Sequence, residues 1–159
     1  MGISNFHIFD SAGNCLFSLN NPEKVDQQQI LYGFLYSLKS FTARMSPALI
    51  RDNNFFLYST SRYHLIFYEF PTSIKFVLIL SVDMKNETDL YRELLAQLYR
   101  DIYVQYVVKN PIVGRPRSKM CEESINKTQQ TDRPSLTNTI DCEIFRTQLN
   151  LFFMQNNLL

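Results

Sequence analysis

From Ile74 to Val82 the chain is apolar on both alternating sets of positions: Ile74, Phe76, Leu78, Leu80 and Val82 on one, Val77 and Ile79 on the other, with Lys75 and Ser81 towards the ends. Successive side chains of a strand point to opposite sides, so a strand apolar on both sides in its middle needs cover on both. Three segments with helical spacing can supply that cover, one before the strand and two after it. The pattern predicts an α/β (α+β) domain, a sheet held between helices, spanning residues 1–159 as a single unit.

Ile3 to Phe9 alternates, Ser11-Ala12-Gly13-Asn14 reads as a turn and Cys15 to Leu19 returns, which predicts a hairpin. Asn21 before Pro22 is a helix start, and Ile30, Leu31, Phe34, Leu35, Leu38, Phe41 and Met45 keep helical spacing up to Ser46-Pro47. Tyr32 and Tyr36 flank this stripe and widen it beyond one sheet face, either as ordinary packing or as a second surface for a partner protein. After the turn at Asp52-Asn53-Asn54, strands are predicted from Phe55 to Ser59 and from Tyr63 to Phe70, joined through Thr60-Ser61. Pro71-Thr72-Ser73 then leads into the central strand. With the first helix as a crossover, the first strand pairs beside the central one in a five-stranded antiparallel sheet.

Beyond Asp83 to Glu87, the set Leu90, Tyr91, Leu94, Leu95, Leu98, Ile102 and Tyr106 predicts a second helix, capped by Asn86 or Thr88 and stopped at Lys109-Asn110-Pro111. Residues 113–137 are polar and rich in turn formers, and read as a flexible insertion. A third helix is predicted from Ile140, carrying Ile144, Phe145, Leu149, Phe152 and Phe153, with Asp141 and Glu143 favouring its dipole in the first turn. One helix is expected on one face of the sheet and two on the other.

Composition narrows the function more than it names it. Hydrophobic residues make up 45%, with 13 Phe and 9 Tyr, enough to bury a core, and a net charge of +1 gives no field for nucleic acid or an acidic membrane. Cys15, Cys121 and Cys142 are scattered without metal or redox spacing and read as inert thiols of a reducing compartment. No window suits a membrane span or a signal peptide. The four glycines cannot write a phosphate-binding loop. His7 and His64 lie in strands without ligand-spaced neighbours and read as structural, and no serine sits in a nucleophile elbow. No catalytic residue, cofactor or metal is expected.

The string Ile8-Phe9-Asp10 with Gly13-Asn14-Cys15-Leu16, then Leu31-Tyr32-Gly33 through Ser37-Leu38-Lys39-Ser40-Phe41 to Met45-Ser46-Pro47, resembles the transport protein particle (TRAPP) subunit 1 family. Thr60-Ser61-Arg62-Tyr63, Tyr68-Glu69-Phe70-Pro71-Thr72, Ile74-Lys75, Ile102-Tyr103-Val104, Tyr106-Val107-Val108-Lys109-Asn110-Pro111 and Phe145-Arg146 with Leu149 continue the match in order. Residues 113–137 stand outside it and look like an insertion.

The resemblance implies the longin, or SNARE-like, fold: a five-stranded antiparallel sheet with one helix on one face and two on the other. It implies a non-catalytic core subunit, assembled with other longin-type and palmitoylated α/β subunits, contributing to guanine-nucleotide exchange on the early-secretory Rab GTPase. It places the chain in the cytoplasm, peripheral at the cis-Golgi and endoplasmic reticulum, in vesicle transport between them. A longin-type small chain of a vesicle coat adaptor is the alternative. Tyr32, Tyr36, Arg44, Arg62 and Tyr63 and the Lys109-Asn110-Pro111 corner are the candidates for subunit or GTPase contact, with packing or solvation as the competing reading for each.

Overall fold

The computed structural model describes residues 3–19, 25–45, 54–81, 88–111, 140 and 142–156. In chain order these form β1 (Ile3–Phe9), β2 (Cys15–Leu19), α1 (Val25–Met45), β3 (Phe55–Ser59), β4 (Tyr63–Glu69), β5 (Lys75–Ser81), α2 (Thr88–Leu98) running on into a π-helix (Tyr99–Val108), and α3 (Glu143–Gln155). The five strands make one antiparallel sheet in the order β2-β1-β5-β4-β3, so the doubly apolar strand is the middle one. Phe6 lies opposite Leu78 across β1 and β5, and Ile66 lies opposite Leu78 across β4 and β5.

The alternation along β5 sorts the two cores. Phe76, Leu78 and Leu80 join Phe6, Ile8 and Ile66 under α2, the π-helix and α3, where Leu95, Leu98, Phe145, Leu149 and Phe153 close the larger cluster. Val77 turns to the other face, with Phe9, Leu65 and Phe67, and Leu35 is the one residue of α1 in that cluster's buried set. One helix therefore covers one face and two cover the other, as the pattern predicts. Each face is closed by burying apolar area that would otherwise meet water.

The second helix departs from the expected α spacing. After Leu98 the backbone stays helical but passes into the π register, and at its end the Lys109 amide donates to the Val104 carbonyl five residues back, at 3.0 Å. Tyr99, Tyr103 and Val107, four residues apart, pack with the large cluster on this face of the sheet. Tyr99 stacks on Phe70 at 4.0 Å between centroids and on Tyr103 at 5.4 Å, and donates or accepts a hydrogen bond with Thr72 at 3.1 Å. Leu90, assigned to the buried stripe by its spacing, is instead exposed.

The third helix begins at Glu143 and not at Ile140. Ile140 lies outside any helix, and its amide donates to the Leu16 carbonyl on β2 at 2.7 Å. Ile144 points outward, while Phe145, Leu149, Phe152 and Phe153 are buried. The start and stop expected for α1 at Asn21-Pro22 and Ser46-Pro47, the Asn86 cap, Asp141 and the 113–137 insertion lie outside the described residues.

Candidate functional site

The apolar positions of α1 form two stripes and not one. Leu31, Leu35 and Leu38 turn towards the sheet, whereas Ile30 is 71% exposed, Phe34 42%, Phe41 59% and Met45 69%. At 3.6 residues per turn these four fall along one flank of the helix, roughly a quarter turn from the buried line. The ring of Phe34 meets Tyr58 of β3 edge-on at 6.0 Å, which joins the stripe to the sheet margin. β3 is an edge strand, bonded only to β4. The opposite edge strand, β2, receives Ile140, but no described residue comes to the outer side of β3. An apolar helix flank beside a strand edge that no described residue pairs with offers hydrophobic area and backbone groups to another polypeptide.

On the other flank of α1 lies a groove of about 410 Å³, lined by Tyr32, Leu35, Tyr36, Lys39, Phe67, Glu69 and Lys75 among others. Glu69 and Lys75 are cross-strand partners at the ends of β4 and β5. Lys39 of α1 is ion-paired and hydrogen-bonded to Glu69. The buried Lys75 ammonium lies 3.9 Å from the other carboxylate oxygen and donates to the carbonyls of Asp10 at 3.1 Å and Ser73 at 3.2 Å. It also sits 5.7 Å from the centroid of the Tyr32 ring. Burial, then the nearby Glu69, Asp10 and Tyr36, raises the Tyr32 pKa, so its hydroxyl stays protonated and a donor.

The residues singled out from sequence are not gathered into one site. Tyr32 and Tyr36 share the groove, Tyr32 half-buried and Tyr36 exposed, and Arg44 is exposed in the last turn of the same helix. Arg62 and the half-buried Tyr63 stand at the far end of the sheet, where Tyr63 pairs with Ser81. Lys109, Asn110 and Pro111 close the π-helix on the opposite face, with Lys109 donating to Gln105 at 2.9 Å. Sequence reasoning missed Lys39, Glu69 and Lys75 as a cluster. The signal available was a lysine opening a strand otherwise apolar on both sides.

His64 is buried, with Nδ1 2.8 Å from the Ser59 hydroxyl, at a turn further tied by Thr60 to Tyr63. This pair is part of the β3–β4 connection, and no group of His, Cys, Asp and Glu able to hold a metal occurs among the described residues. The fold is a five-stranded antiparallel sheet with one helix on one face and two on the other, and its α1 helix carries an exposed apolar row beside the sheet margin. The sequence model of the Sybindin-like family matches residues 3–130.

Trafficking protein particle complex subunit 1 of Dictyostelium discoideum is 38% identical over 132 residues, covering 79% of this chain and 90% of the relative. The subunit 1 protein of Homo sapiens is 36% identical over 123 residues, covering 70% and 79%. Trafficking protein particle complex subunit BET5 of Saccharomyces cerevisiae is 31% identical over 123 residues, covering 69% and 74%. Among solved structures, Myxococcus xanthus MglB overlaps 59% of this chain and 76% of its own, with a TM-score of 0.45 and 10% identity. The chain belongs to the Sybindin-like family, alongside the relatives called trafficking protein particle complex subunit 1.

Proposed function

We propose that the chain is a non-catalytic core subunit of the TRAPP complex, docking a neighbouring subunit on the outer flank of α1 and the edge of β3. The observation that carries this is the exposed row Ile30, Phe34, Phe41 and Met45, tied through Tyr58 to a strand edge that no described residue pairs with. A lone protein gains nothing by leaving such a row in water, whereas burial in an interface contributes roughly 25 cal/mol for each Å² covered. The names of its relatives, each a subunit of a particle complex, point to the same use.

The complex acts on the early-secretory Rab GTPase by exchange, which needs complementary surface and no reacting group. Binding the nucleotide-free GTPase more tightly than the loaded one weakens nucleotide affinity by the same factor, because the coupling is reciprocal. A chain of 159 residues that also holds its neighbours contributes only part of that surface, so the exchange site is composite. Longin-type and palmitoylated α/β subunits are the neighbours, and the assembly works at the cytoplasmic side of the cis-Golgi and endoplasmic reticulum. No helix of the described residues is long and apolar enough to cross a membrane, which suits attachment through those neighbours.

Reconstitution tests this. The purified chain should join a complex assembled from the other subunits, and that complex should release a fluorescent nucleotide from the Rab while the chain alone does not. Co-purification with coat large chains instead, or full exchange by the isolated chain, would overturn it.

A further inference from the structure

Helix α1 is held to the rest of the protein far less firmly than the helices of the other face. Among its described side chains Leu35 alone is buried, whereas α2 buries Tyr91, Leu94, Leu95 and Leu98, and α3 buries Phe145, Leu149, Phe152 and Phe153. The larger cluster contains no residue of α1 and is complete without it. Only the smaller one, Phe9, Leu65, Phe67 and Val77 with Leu35, has α1 as its cover, and Leu31 and Tyr32 lie at its margin.

The helix has little stability of its own to make up for this. Gly33 lies inside it with nothing within 4 Å of a Cβ, so glycine weakens the helix there without serving a close contact. Ser37 and Thr42 donate back to the carbonyls of Gly33 and Lys39, at 2.9 and 3.0 Å, which does not strengthen a helix. A helix of this kind draws most of its stability from packing an apolar face, and here that face is narrow. The ion pair of Lys39 with Glu69 is partly exposed, and such pairs contribute little. Lys75 keeps its partners without α1, because Glu69 and the carbonyls of Asp10 and Ser73 belong to the strands and their connections. No buried cation is stranded when the helix lifts.

From this asymmetry we infer that α1 is a lid that opens as a unit while the sheet, α2, the π-helix and α3 stay folded, and that a subunit seated on its outer flank latches it shut. Opening uncovers Phe9, Leu65, Phe67 and Val77, which keeps the open form a minor population of the free chain. A partner that binds the closed form lowers that population further by linkage. The second apolar face of the sheet is therefore shown only by the unassembled chain. The latch rests on the reading of the chain as a complex subunit.

Amide hydrogen exchange of the full chain, read by mass spectrometry, tests both halves. In the isolated chain the amides of residues 31–41 should be about a hundredfold less protected than those of β5. Equal protection would overturn the proposal. Ile102→Val, a mild change in the larger cluster, should speed exchange in β5 about fivefold and leave α1 unchanged, because the open and closed forms lose the same packing. Equal speeding of α1 and β5 would show one cooperative unit and overturn the lid. With the remaining subunits at a hundred times their Kd, exchange in α1 should slow about a hundredfold. A chain that joins the complex with α1 exchanging as before overturns the latch, whereas a chain that fails to join overturns the subunit reading and the latch with it.

Discussion

Gly13 lies directly beneath the ring of Tyr32: a Cβ built on Gly13 would stand 2.4 Å from the ring's Cε1 atom. The glycine also has φ +90°, in the left-handed region. The β1–β2 turn and helix α1 thus meet through a residue with no side chain, beside the groove that Ser11 and Tyr32 help to line. Gly13→Ala should therefore cost roughly 2–4 kcal/mol, from left-handed strain plus displacement of the ring. Urea denaturation measures it, and a loss under 0.5 kcal/mol would show that the turn and helix part without consequence.

Gly33 behaves in the opposite way. It lies inside α1, and a Cβ there meets nothing within 4 Å. Gly33→Ala should stabilise the isolated chain by about 1 kcal/mol, because the helix interior no longer carries glycine's backbone entropy. Thermal denaturation of the isolated chain should show a raised midpoint, and a lowered one would contradict the open surroundings of this position.

The π-helix predicts a signature at high pH. Burial, with a smaller contribution from Tyr99, pushes the Tyr103 pKa up to about 12 from its usual 10. Below pH 10 both folded and unfolded chains keep this proton, and the contribution is fully present. Between the two values the unfolded chain ionises first, so stability should fall with rising pH by about 1.4 kcal/mol per unit from this one group. Tyr103→Phe should remove that component of the fall. Denaturation midpoints from pH 9 to 12 would read it, alongside the ultraviolet signal of phenolate formation.

Period-two alternation made the strands legible: the hairpin, β3 to β5 and the pairing of β1 with β5 all follow from positions such as Phe76, Leu78 and Leu80 against Val77 and Ile79. The helices were legible as elements but less so in orientation. Seven apolar positions on α1 exceed what one sheet face can cover, and spacing alone does not say that Leu35 turns in while Phe41 turns out. The passage into the π register after Leu98 was not legible, because Tyr99, Tyr103 and Val107 stand four apart and suit an α-helix as well; that Tyr99 stacks on Phe70 and Tyr103 meets Phe76 edge-on depends on the fold. Lys75 looked like a strand end, and its burial depends on Glu69 and Lys39, brought together only by the sheet register and by how α1 lies across it.

Whether the outer flank of α1 is a subunit interface is tested most directly by the doubly substituted chain Phe41→Asp with Met45→Asp. Both side chains are exposed in the isolated chain, so its stability should change by no more than about 0.5 kcal/mol. Affinity for the remaining TRAPP subunits, measured by titration of the reconstituted complex, should fall about a hundredfold or more. Wild-type affinity from the substituted chain would contradict the account.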